Sequence, residues 1–158
     1  MSDISKTAVS QSGYRLAPLG AAERDRLAER LSDEERRILL AHGTEAPFCG
    51  GLLDNKQQGI YCCRLCGLPL FRSDAKFESG TGWPSFFAPF DSAHIHHIRD
   101  TSYGMTRTEI RCIRCDGHLG HVFDDGPPPA RQRYCMNSAS MEFFPAGKEP
   151  APDGRSMG

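Results

Sequence analysis

The spacing of apolar positions changes once along the chain, near Thr44. Before that point Leu27 and Leu31 recur at helical spacing among Glu and Arg, which predicts a first helix over about residues 21–31. A second is predicted after Ser32, whose hydroxyl can cap it while Glu35, three residues on, completes a capping box. Gly43 is placed to end it. From Thr44 the apolar pieces become short and are broken by Gly, Pro, Asn and Asp, at 59–63, 75–77, 94–98, 108–112 and 134–144. That texture predicts a mainly β domain of antiparallel strands with long loops. Residues 1–13 are polar and small and are expected to form a disordered tail, and the aperiodic residues 146–158 a mobile one. A single domain is expected between them over 14–145, helical to about residue 43 and β from 44 onward.

With 158 residues the chain is long enough for one core to fold unaided. A net charge of -1 gives no field to gather polyanions, so nucleic acid is excluded as the main partner. The first residues show no basic stretch followed by an apolar core, and no later apolar run reaches membrane length. A soluble, cytoplasmic, monomeric protein with no membrane partner is therefore expected. Four of the seven cysteines form two Cys-x-x-Cys pairs, Cys63 with Cys66 and Cys112 with Cys115, each followed closely by glycine. Such turns aim both sulfurs at one point, and two together supply the four thiolates of a tetrahedral zinc at about 2.3 Å. Four protein ligands leave no open position, so this zinc is expected to be structural. Two dithiol redox pairs, or free cysteines in the core, are the rival readings.

The chemistry concentrates between Cys112 and Ser140. If the segment around the lone Cys135 is a strand, a period of two puts Arg133, Cys135 and Asn137 on one face, a thiol flanked by a cation and an amide. His118 and His121 precede it, and the acidic turn at Asp124 and Asp125 can bring a carboxylate back to an imidazole. The pair can deliver protons, or be structural. Trp83, the only tryptophan, lies in the Gly-rich run 79–87 beside Pro84 and Phe86. It can wall a methyl or thioether group, or simply anchor its loop. His94, His96 and His97 look like a metal cluster but alternate between strand faces, and a solvated edge is expected.

Residues 43–48, 54–55, 59–61, 79–86, 107–109, 117–128 and 133–140 resemble, in order, the B class of methionine sulfoxide reductases. The resemblance spans about residues 31–144. It implies reduction of methionine-R-sulfoxide, free or in proteins, on a fold of two antiparallel β-sheets with short N-terminal helices, a structural zinc and recycling by thioredoxin. By motif position Cys135 matches the nucleophile; His118, His121 and Asn137 match the groups that handle the sulfoxide oxygen. Arg133 and Asp125 match their charged supports, and Trp83 the wall for the substrate methyl. One departure stands out: many members have Cys between the two glycines of the Ser-Gly-x-Gly-Trp-Pro motif, where this chain has Thr81.

The residues suit that chemistry on their own terms. Reduction of a sulfoxide needs a thiolate at sulfur together with proton donors at oxygen, and leaves a sulfenic acid on the cysteine. Arg133 and a protonated histidine are expected to raise the thiolate fraction of Cys135. A zinc-ribbon interaction module would explain the knuckles but not Cys135 with Asn137, and a thiol peroxidase would also form a sulfenic acid. With Thr81 in the usual place and four cysteines assigned to zinc, Cys49 and Cys62 remain to resolve the sulfenic acid. Cys62 adjoins Cys63 in a predicted strand, whereas Cys49 is followed by Gly50 and Gly51 in a segment free to swing, so Cys49 is the expected resolving cysteine.

Overall fold

A computed structural model describes residues 9–148. Helix α1 (Ala21–Ala28) and helix α2 (Asp33–Leu39) come first. The first is shorter than its pattern suggests: after Ala28 the chain tightens into a turn in which the Leu31 N–H donates to the Ala28 carbonyl, and Leu31 stays buried. The second starts on the expected capping box, with Glu35 N–H on Ser32 Oγ at 3.1 Å and Ser32 N–H on Glu35 Oε1 at 2.9 Å. Its end differs in detail. His42, not Gly43, takes the left-handed conformation (φ 61°), and the Gly43 N–H closes on the Arg37 carbonyl at 2.9 Å. A Cβ on Gly43 would sit 2.9 Å from that carbonyl oxygen, so glycine is required by the close approach. This ending delivers the His42 ring to the sheet.

Nine strands follow among the described residues, in two antiparallel sheets as expected. The smaller is ordered β2 (Pro69–Arg72), β1 (Gly59–Cys63), β9 (Met141–Pro145). The larger is ordered β3 (Lys76–Phe77), β4 (Ser85–Phe86), β8 (Arg133–Met136), β7 (His118–Phe123), β6 (Arg107–Cys112), β5 (Ile95–Asp100). An aromatic stack joins them: Phe71 of β2 lies on Phe86 of β4 with ring centroids 4.4 Å apart, and Tyr61 of β1 meets the same ring edge-on at 5.1 Å. All three are fully buried, and each such side chain contributes roughly 1.5–3 kcal/mol by leaving water.

The N-terminal expectation needs correction where it can be checked. Residues 1–8 lie outside the described residues, but Val9 bridges to Arg15, and Ser10 is buried with its hydroxyl 2.8 Å from His94 Nε2. Ser12 donates to Asp91 Oδ2. Residues 9–13 are thus tied to the body, because the hydroxyls of Ser10 and Ser12 find partners there that a disordered tail would leave to water. The same contact corrects the histidine cluster. His96 and His97 are exposed on the edge strand β5, but His94 is fully buried, its Nδ1 on the Pro69 carbonyl at 2.6 Å. At the other end, Ala146 and Lys148 donate backbone hydrogen bonds to Gln58 and Pro145, and residues 149–158 lie outside the described residues. No helix among the described residues is long and apolar enough to cross a membrane.

Candidate active site

The two Cys-x-x-Cys turns meet. Cys63, Cys66, Cys112 and Cys115 are buried, and their sulfurs all lie within 4.8 Å of one another. Cys63 faces Cys115, and Cys66 faces Cys112, at 3.5 Å, far outside a disulfide bond and close to the edge of a tetrahedron of thiolates around one ion. The donor set and its shape fit a metal. The chain before α1 and α1 itself wrap the turns: Leu19 N–H donates to the Arg114 carbonyl, Arg114 to Arg15 O, and Arg24 Nε to Cys115 O.

The second site forms where β7 and β8 run side by side. Cys135 and His121 are direct cross-strand partners, which places both on one face. His118, three residues from His121, should by strand alternation face the other way. A bulge prevents this. The β6–β7 register passes from Ile110↔Gly120 to Arg111↔His118, so Leu119 is the extra residue, and the His118 and His121 rings come within 5.6 Å on one side. The carbonyl that the bulge leaves free at Leu119 accepts from both the backbone N–H and the side-chain Nδ2 of Asn137. One irregularity thus places two of the expected residues. Gly120 permits the strands to close here, since a Cβ would lie 2.9 Å from the Met136 Cα.

Thr44, Trp83, Arg107, His121, Cys135 and Asn137 line one small cleft, and His118 and His121 line the adjoining hollow with Arg107 and Glu109. The carboxylates that hold the imidazoles are not those of the acidic turn. Glu109 Oε2 accepts from His118 Nδ1 at 2.6 Å, and Asp100 Oδ2 from His121 Nε2 at 2.8 Å. Asp125 instead grips Arg133 through both oxygens, at 2.8 and 3.1 Å. The reason is topological: β6 lies beside β7 and β5 just beyond it, whereas the turn at 124–126 leads into β8. Glu109 and Asp100 escaped the sequence reading because only cross-strand register connects them to the histidines. Glu109 resembles a family motif residue, but nothing in its neighbourhood marks it as an imidazole partner.

Burial holds the His118 pKa below the usual imidazole value, with Glu109 pulling the other way. Burial also opposes the charge on Glu109, but hydrogen bonds from Arg111 and His118 outweigh it and keep the carboxylate ionised. Asp100 is held well below the usual range by the hydroxyl and N–H of Ser102 and by His121. His42, Glu109 and His118 also bring three donor atoms within 4.8 Å. Arg111 already takes both Glu109 oxygens, at 3.0 and 3.1 Å, so the group is a neutralised proton-holding network.

Cys135 departs from expectation. Burial pushes its thiol up, and the opposing pull of Arg133 and the Thr81 hydroxyl does not overcome it. The cation is present but spent largely on Asp125, and the desolvation of a half-buried sulfur is the larger effect. At neutral pH Cys135 is therefore mostly protonated. The rate of its alkylation by iodoacetamide should climb through pH 9 without a plateau near 7. Because Arg133 lowers this pKa, Arg133→Gln should slow alkylation several-fold at pH 7 and converge with the parent at high pH. A plateau below pH 7.5 would show an activated thiolate instead.

Residues 31–145 match the family model described as the SelR domain. The chain is 62% identical over 145 residues to the peptide methionine sulfoxide reductase MsrB of Caulobacter vibrioides, covering 92% of this chain and 91% of that one. It is 62% identical over 134 residues to the protein of the same name from Xylella fastidiosa strain M23, covering 85% and 86%. With a half-buried thiol opposite a carboxylate-held histidine and a separate buried four-cysteine centre, a sequence matched at this level and length places the chain in the SelR-domain, or MsrB, family of peptide methionine sulfoxide reductases.

Proposed function

We propose that the protein reduces methionine-R-sulfoxide, in proteins or free, to methionine, with Cys135 as the nucleophile. The observation that carries this is the cleft in which Cys135 stands opposite His121, with His118 5.6 Å beyond. Cys135 Sγ attacks the sulfoxide sulfur while its proton passes through the imidazoles to the oxygen. The sulfur–oxygen bond breaks, methionine leaves, and the oxygen ends on Cys135 as a sulfenic acid; the cysteine sulfur is oxidised by two electrons and the sulfoxide reduced by two. A thiol that stays protonated until substrate arrives brings the proton the oxygen needs. Glu109 and Asp100 hold the imidazoles in register, the free Nδ2–H of Asn137 meets the oxygen, and Trp83 walls the methyl. Arg133, steadied by Asp125, favours the thiolate as it forms.

The four thiolates suit a structural zinc, held by Cys63, Cys66, Cys112 and Cys115, which pins β1 to β6 and takes no substrate because its ligand sphere is full. Mixing the protein with methionine-R-sulfoxide and dithiothreitol should release methionine, and the reduced protein without added thiol one methionine per Cys135. Preference for hydrogen peroxide over the sulfoxide would make it a peroxidase.

Recycling is assigned to Cys49 with a thioredoxin-type dithiol. The Cys49 thiol displaces water from the Cys135 sulfenic acid, giving a disulfide that the dithiol reduces. Cys49 is exposed, whereas Cys62 is fully buried on β1 and paired to both β2 and β9. Cys49 lines a different hollow from Cys135, so residues 46–51 must swing for the bond to form. Cys49→Ser is expected to keep the first turnover and lose thioredoxin-supported cycling by more than about tenfold. Peptide mapping that finds Cys62 joined to Cys135 would transfer the role.

A further inference from the structure

Glu45 is a buried acid that the chemistry above does not use. Its carboxylate accepts the Ser138 N–H at 2.7 Å and the Ala139 N–H at 3.0 Å, at the start of the short turn that follows Asn137. Its backbone N–H donates to Asn137 Oδ1 at 3.0 Å, and its backbone carbonyl accepts from Trp83 Nε1 at 3.0 Å. Every hydrogen-bonding group of one residue is therefore committed to the cleft or to the turn behind it. The seat is tight: a Cβ on Gly50 would run into the Glu45 carboxylate and Ser138 Oγ, and Ser138 Oγ in turn accepts the Leu52 N–H.

We infer that Glu45 is a positioning residue for the sulfoxide site, its carboxylate fastening the chain at Glu45 to the turn at 138–139 so that its own backbone fixes Asn137 and Trp83 from one point, while residues 46–51 beyond it stay able to move. The inference rests on the proposed roles of those two residues. The geometry explains why a charged side chain is needed. Two backbone N–H groups converge on the carboxylate, and an ionised acid accepts both, whereas an amide offers one acceptor and one donor. It also fixes which end of the Asn137 amide faces the cleft. Oδ1 takes the Glu45 N–H and Nδ2 gives one hydrogen to Leu119 O, so a flipped amide would oppose donor to donor and acceptor to acceptor. The second Nδ2 hydrogen is left for the sulfoxide oxygen. Glu45 thus acts on orientation, and the thiol of Cys135 is outside its reach of contacts.

The test uses the full chain with its metal. Single-turnover methionine release should fall about 10²-fold in Glu45→Ala and about tenfold in Glu45→Gln, the scale expected when binding groups shift by about an ångström. Alkylation of Cys135 should stay within about twofold of the parent, since its thiol makes no contact with Glu45. Trp83 is the only tryptophan, so its emission reports the same event: loss of the Glu45 tie should shift it to the red and speed its quenching by acrylamide. Glu45→Gln added to Asn137→Ala should cost less than it does alone, because part of its effect runs through the Asn137 amide and only the part through Trp83 remains. Gly50→Ala, which crowds the same seat, should reproduce the emission shift and the slower release. If Glu45→Ala does not fold, Glu45→Gln, which keeps one acceptor, carries the test. Full single-turnover rates in Glu45→Gln, equal losses in alkylation, or additive losses with Asn137→Ala would overturn the inference. Full rates in both Asn137→Ala and Trp83→Phe would overturn it by removing its premise, and are told apart because Glu45 plays no part in them.

Discussion

Cys135→Ser is expected to yield a folded protein that retains its metal and releases no methionine from the sulfoxide, a loss on the order of 10⁴-fold or more. The substitution is close to isosteric, and the half-buried position keeps its hydrogen-bonding neighbours, the Thr81 hydroxyl and Arg133, for a serine hydroxyl. What disappears is a sulfur able to attack sulfur and to carry the transferred oxygen. An alkoxide is far costlier to form in a site that already resists a thiolate. Circular dichroism and metal content should match the parent while methionine release under dithiothreitol falls to background. Residual release above about one part in a hundred would assign the nucleophile elsewhere.

The second large effect falls on the fold. Cys112→Ser should lose bound metal and, with it, more than about 10 °C of melting temperature, since metal loss is among the few single changes that exceed about 4 kcal/mol. Cys112 sits at the end of β6 beside Ile95 of β5, while Cys63 ends β1 in the other sheet, so one ion would hold the two sheets and the wrapping N-terminal segment together. Elemental analysis showing no metal in the parent protein, or a variant that melts at the parent temperature, would contradict a structural metal centre.

What could be read from the chain is what lies within a few residues along it. The knuckles, the capping box at Ser32 and Glu35, and the Arg133–Cys135 alternation are local signals, and the structure bears each of them out. What could not be read depends on register or on backbone groups. His118 and His121 face the same way only because Leu119 bulges, and their carboxylate partners come from neighbouring strands. Asp125, four residues after His121 in the chain, is held by Arg133 across its own turn. Arg133 does favour the Cys135 thiolate as expected, but the net shift goes the other way for a different reason. A flanking arginine is visible in sequence, whereas the burial that outweighs it is a property of the packed cleft.

The pairing of β1 with β9 bears on when the molecule can fold during synthesis. Gly59 lies opposite Pro145 and Cys63 opposite Met141, so β1, which can pair early with β2 on one side, finds its other ladder partner only in β9, the last strand among the described residues. Cys63 and Cys66 likewise wait for Cys112 and Cys115 to emerge. At about 5–20 residues per second the early half of the β chain stays open for several seconds, its thiols unshielded and the β9 side of β1 unpaired. The high sequence separation of these contacts also makes the closing step itself slow. A nascent chain stopped before Cys112 should therefore be open to proteases and thiol reagents throughout β1, and protection should arrive in one step once Pro145 has cleared the exit tunnel.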